Sequence, residues 1–233
     1  MIIIVSPAKT FNKNTEFSDE KIIFNEKFNY LFNTLKTLDK NDLEQIMKIS
    51  KNLANNAFNY YKDFNLNIKA ISLYGGQAFK YLNYQELNNI NNLYILSPLY
   101  GLLNANSAIS KYRLDLKDNI INQSLTNYWY DDINNYLKSI NDKVIINLSS
   151  GEFSNLLDLN NKNIYTLNFY QKENNKLKAP SMELKKMRGL YANYILKNNI
   201  NNLADLKNIN INGYVYNGNL SNKNEYVYIK ELS

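Results

Sequence analysis

The chain has 233 residues, with 27 Lys and Arg against 21 Asp and Glu, a net charge of +6, and neither cysteine nor histidine. That composition excludes disulfides, thiolate nucleophiles, zinc sites of the usual nitrogen and sulfur type, and every histidine-dependent nucleophile relay. The remaining chemistry lies with Ser, Thr, Lys, Tyr, Asp and Glu, and the positive balance favours an anionic partner, although abundant Asn, Lys, Ile and Tyr also read as the drift of an AT-rich coding sequence.

The opening run MIIIV is apolar and β-branched, which predicts a buried strand that ends at Ser6-Pro7. It is too short for a signal peptide or a membrane span, and no later segment is apolar enough to cross a bilayer, so a cytoplasmic protein is expected. Ser18-Asp19-Glu20 reads as a helix start, with Phe24, Phe28, Leu31, Leu35 and Leu38 on one face. A second helical pair spans Asp42 to Phe64, broken near Ser50. Ile68 to Tyr74 reads as a strand closing on Gly75-Gly76, Ala78 to Leu87 as a helix, and Leu93 to Ser97 as a strand running into PLYGLL.

Leu125 to Ile140 has Trp129, Ile133, Tyr136 and Ile140 at helical spacing, and Val144 to Leu148 is a second clear buried strand. From Ile164 the pattern is a strand with a turn at Glu173 to Lys176, and Pro180-Ser181 opens a further helix. The end reads as a hairpin, Tyr214 to Tyr216 and Tyr226 to Ile229 about Asn217-Gly218. Alternating strands and helices without a linker predict an α/β fold. The expectation is a single domain over residues 1–233, with a mixed β-sheet flanked by helices and a C-terminal β-hairpin.

In so lysine-rich a chain the scarce residues are informative. Arg113 and Arg188 are its only arginines, Pro7, Pro98 and Pro180 its only prolines, Trp129 its only tryptophan, and there are seven glycines. Four segments combine them with potential chemistry. Ser6 to Thr10 follows a strand, where open α/β sheets place ligands, and Lys9 with its flanking hydroxyls suits an anion; an ordinary strand exit is the alternative. Leu96 to Leu116 groups Pro98, Gly101 and Arg113, whose guanidinium either grips an anion or pairs with an acid such as Asp115.

Ile146 to Ser154 ends a strand in Ser149-Ser150-Gly151 with Glu152 after it, a pattern for helix capping more than for serine chemistry without histidine. In KKMRGLYANYIL, Lys185 and Arg188 lie three apart on one helix face, and Gly189 costs about 1 kcal/mol relative to alanine in a helix. A glycine there implies close approach by another backbone or a ligand.

SPAKT, LYGLL followed by YRLDL, the NYW of the Trp129 helix, INLSS and KMRG occur in this order. Together they resemble the blocks of the bacterial YaaA peroxide-stress family over nearly the whole chain. The resemblance implies an unusual single-domain α/β fold, binding of double-stranded DNA through a positively charged cleft, and a role in limiting iron-dependent oxidative damage. It also implies a helix-hairpin-helix element, whose best match is Ile46 to Tyr61, turning between Ile49 and Ala57 with Lys48, Lys51 and Lys62 nearby. Lys51 and Leu53 stand where that hairpin carries glycines. The chain also departs from the family pattern at Pro98, at Asn104-Ala105 in place of an Arg-Pro pair, and at Met187.

The expected anion or DNA site therefore comprises Lys9, Arg113, Arg188, Lys185, Ser6, Lys48 and Lys51, with no cofactor or metal. The alternative is an enzyme acting on a small anionic metabolite or nucleotide, with Lys9, Arg113 and Arg188 as a clamp and Glu152 or a tyrosine as the acid-base partner. Direct iron sequestration is the least favoured reading, since the carboxylates are dispersed along the sequence.

Overall fold

The N-terminal apolar run forms β1 (Ile2–Val5), all four side chains buried, in the middle of the main sheet. The computed structural model describes residues 1–140 and 143–232. After β1 come α1 (Asn25–Lys36), α2 (Lys40–Met47), α3 (Lys51–Lys62), β2 (Ile68–Lys69), the single turn α4 (Ala70–Leu73) and α5 (Gln77–Leu82). Then follow β3 (Leu93–Ser97), β4 (Gly101–Asn104), β5 (Ala108–Ile109), α6 (Leu125–Ser139), β6 (Ile145–Leu148) and the single turn α7 (Gly151–Ser154). The last third holds β7 (Ile164–Glu173), β8 (Lys176–Lys178), α8 (Ser181–Lys197), α9 (Leu203–Lys207), β9 (Val215–Tyr216) and β10 (Glu225–Glu231).

The main sheet has eight strands in the order β4-β3-β1-β6-β7-β10-β9, with β8 paired to β7. Its centre, β3, β1, β6, β7 and β10, is parallel, and the remaining strands join antiparallel. This is the α/β architecture with a mixed sheet and a C-terminal hairpin that the alternation predicted. The central strands β1, β3 and β6 are buried along their whole length, as parallel strands covered on both faces must be.

Several scarce residues turn out to serve the core. The Trp129 ring is fully buried and its Nε1–H donates to the Pro98 carbonyl at 2.8 Å. Gly101, at φ +74°, packs under that ring, where a Cβ would lie 2.6 Å from Trp129 Cε3. Pro98, Gly101 and Trp129 thus form one packing unit.

The structure corrects four boundaries. The helix expected at Ser18 begins at Asn25, because residues 16–20 are held extended: the amides of Lys69, Ser18 and Ala108 bond across to Glu16, Asn67 and Glu20. The strand read over Ile68 to Tyr74 is only β2, and Ala70–Leu73 coil into α4, whose four residues are all buried. The helix read over Ala78 to Leu87 stops at Leu82, because Asn83 turns left-handed at φ 43° before a 3₁₀ turn over Tyr84–Glu86. Finally, β9 and β10 form the predicted hairpin through residues 217–224, a longer connection than Asn217-Gly218 alone.

At the α2–α3 corner, Lys48 adopts a left-handed conformation at φ 51°. The amides of Lys48 and Ile49 both donate to the Glu44 carbonyl. They close the C-terminus of α2 in the manner of a Schellman turn, so these two amides face their own helix. The predicted helix pair is present, and the phosphate-holding hairpin expected of it is not confirmed by this turn.

Candidate functional site

The chain leaves β1 toward β3 on one side and leaves β6 toward β7 on the other, so the C-terminal ends of β1 and β6 flank a crevice where the winding reverses. Open α/β sheets bind ligands at this switch point, where diverging loops leave a gap. Here the gap is a cavity of about 380 Å³, floored by Val5 and Leu148 at the two strand ends.

Local chemistry fixes both lips. The Ser150 amide donates to Ser6 Oγ at 2.8 Å, tying the loop after β1 to the loop after β6. Below it, the amide and hydroxyl of Ser149 donate to Asn147 Oδ1 at 2.9 and 2.7 Å, and Asn147 Nδ2 donates to Ser154 and Thr166. Ser149 is buried in this satisfied network, which gives the SSG segment a structural role. On the far side the Gly75 amide donates to the Thr10 carbonyl at 2.8 Å, seating the Gly75-Gly76 turn against SPAKT.

The fourth wall is α8, held close to α5 by Gly189. A Cβ there would lie 3.0 Å from the Leu82 nitrogen and nearer still to the Ala78 carbonyl oxygen. The close approach foreseen for this glycine is therefore made by the α5 backbone. One residue earlier, Arg188 turns into the cavity, and Lys185 joins it one turn before. Arg188 is half-buried, has no carboxylate within 4 Å among the described residues, and its buried Nε has no hydrogen-bond partner there. Burial without a counter-charge holds its guanidinium below the usual arginine range.

Of the expected site residues, Ser6, Lys9, Lys185 and Arg188 share this cavity. Lys9 also pairs with Asp115 Oδ2 at 2.7 Å. Arg113 does not line the cavity. It stands two residues before Asp115, its carbonyl accepts the Tyr61 hydroxyl, and the pairing with Asp115 considered for it is taken by Lys9. Lys48 and Lys51 are exposed at the α2–α3 corner, outside the cavity lining. Glu152 lines the cavity from α7 and forms no ion pair among the described residues.

Sequence reasoning did not anticipate Phe79, Leu82, Phe153 and Met182, which give the cavity apolar walls. Adjacent scarce glycines at positions 75 and 76 were the available signal for the α5 side. Among the described residues no three acidic side chains cluster as metal ligands, and burial raises the Tyr74 and Tyr100 hydroxyls well above their ordinary range, so these two stay neutral.

A crevice lined by Lys9, Lys185, Arg188 and Glu152 and walled by apolar side chains, at the switch point of a mostly parallel sheet, makes this an α/β protein with a candidate binding site between its loops. Residues 1–220 match the family model described as peroxide stress protein YaaA. A UPF0246 protein of Fusobacterium nucleatum is 34% identical over 248 residues, covering all of both chains. One of Crocosphaera subtropica is 34% identical over 250 residues, covering 99% of this chain and all of the relative, and one of Francisella tularensis subsp. mediasiatica is 36% identical over 248, covering 96% and 98%. The chain belongs to the YaaA peroxide-stress family. No helix among the described residues is long and apolar enough to cross a membrane.

Proposed function

We propose that this protein binds double-stranded DNA in the cytoplasm during peroxide stress, and that its binding limits iron-dependent damage to the duplex. Backbone phosphate would enter the β1–β6 crevice and meet Lys9, Lys185 and Arg188. The observation that carries this reading is Arg188: a cation half-buried without a counter-charge is costly, and a bound anion offsets that cost. Arginine suits the role because its planar fork matches two phosphate oxygens at once.

Contacts of this kind are to the backbone, so binding follows charge more than base sequence. Three crevice cations give a slope of about −2 to −3 for log affinity against log salt. Fluorescence anisotropy of a labelled duplex across a salt series tests this, and a flat dependence would reject it. The apolar walls favour a second reading of the same site, a small anionic ligand.

A further inference from the structure

A phosphodiester running along a duplex needs an exposed cationic surface. Lys9, Lys185 and Arg188 meet that need, but phosphate contact does not account for the apolar walls that Phe79, Leu82 and Phe153 give a concave compartment of about 380 Å³. That compartment lies within the roughly 300–1,000 Å³ range of small-molecule sites, which pair apolar walls with a few placed polar groups. Its polar groups have two different characters. Arg188 and Lys185 leave α8 one turn apart and present positive charge on one side. Glu152 comes from α7 and presents an acceptor-only carboxylate.

A simple inorganic anion would use the first group and be repelled by the second. The lining as a whole suits a ligand with an anionic end, flat apolar faces, and hydrogen-bond donors on the edge of its ring.

We infer that the crevice is a single-nucleotide pocket, taking a nucleoside monophosphate unit whose base carries an amino group. The phosphate sits on Arg188 and Lys185, the base lies against the phenylalanines, and Glu152 accepts from its donor edge. Adenine, cytosine and guanine offer that edge; thymine and uracil carry no amino group. The unit has two sources, a free mononucleotide or an unpaired nucleotide of a DNA strand. The inference rests on the reading of the crevice as an anion site and does not require duplex binding.

Isothermal titration of the full chain with nucleoside 5′-monophosphates, the matching nucleosides and inorganic phosphate tests it. Stacking of a base on aromatic side chains is worth enough that the monophosphate should bind about tenfold or more tighter than phosphate alone. Phe153→Ala should remove that advantage and leave phosphate affinity unchanged, and Glu152→Gln should narrow the preference for amino-bearing bases. Monophosphate binding no tighter than phosphate would overturn the inference, and because that comparison uses the wild-type chain it survives any variant that fails to fold. Labelled duplexes with and without one unpaired nucleotide separate the sources. Tighter binding of the interrupted duplex identifies DNA, and equal binding beside tight monophosphate binding identifies the free nucleotide. Steep, salt-dependent duplex binding without any monophosphate advantage would leave the DNA reading standing and remove this one.

Discussion

Gly189 and the Ala78 carbonyl oxygen meet across the α5–α8 crossing with no room for a Cβ between them. The contact sets how close α8 lies to α5, and so where Lys185 and Arg188 stand over the sheet. Gly189→Ala should gain about 1 kcal/mol of helix propensity and lose more to displaced backbone, for a net loss of about 2 kcal/mol. At Gly151 a Cβ would meet nothing within 4 Å. Gly151→Ala should therefore be neutral or stabilise by up to about 1 kcal/mol through the unfolded chain. Denaturant unfolding of the two variants measures both, and equal effects would show that the crossing is not sterically fixed.

Asp118 is 4% exposed, and burial raises its carboxyl from 3.8 to about 6, although it accepts the Asp115 amide at 2.7 Å. Between about pH 4 and pH 6 the folded chain therefore holds a proton there that the unfolded chain has already released. Stability from this group is present below pH 3.8 and falls as pH rises toward 6, by up to about 1.4 kcal/mol per unit. Asp118→Asn keeps an acceptor for the amide and removes the charge. Relative to wild type it should be more stable above pH 6, by about 2 kcal/mol, with the difference vanishing near pH 4. Parallel unfolding curves at pH 4 and 7 would contradict this.

Lys9 and Asp115 are 61% and 13% exposed, so their ion pair is worth under about 1 kcal/mol. Lys9→Ala should leave the melting temperature nearly unchanged while weakening duplex binding and making its salt slope shallower by about 1. Asp115→Asn frees Lys9 from its partner and should strengthen binding. A large loss of stability in Lys9→Ala would make the residue structural.

The fold was legible where pattern and length agreed. The apolar runs Met1–Val5 and Val144–Leu148 read as buried strands and contain β1 and β6; on α6 Trp129 and Ile133 are buried as read, Tyr136 and Ile140 are half-buried, and Leu125, Tyr128 and Leu137 complete the core face. Errors arose where tertiary bonding overrode local pattern. Ser18 Oγ accepts a cap-like bond from the Glu20 amide at 3.1 Å, yet the Glu20 carbonyl that a helix would need accepts from the Ala108 amide, so no helix follows.

Part of the crevice lining was legible by scarcity, which singled out Arg188 and Gly189, and Ser6, Lys9 and Lys185 from the neighbouring motifs line the same cavity. The same signal selected Pro98 and Gly101, whose scarcity reflects the Trp129 packing unit. The apolar walls were hidden because Phe79 and Phe153 look like ordinary core residues until the sheet order places both beside the β1–β6 gap.

Arg188, and not its fellow arginine Arg113, is the anion contact proposed for the crevice. Duplex affinity at low salt, compared for wild type, Arg188→Gln and Arg113→Gln, tests it most directly. Loss of a charge-assisted bond should weaken Arg188→Gln by about tenfold or more, with Arg113→Gln within about twofold of wild type. Wild-type affinity in Arg188→Gln, or equal losses in both variants, would contradict the assignment of the anion to the β1–β6 crevice.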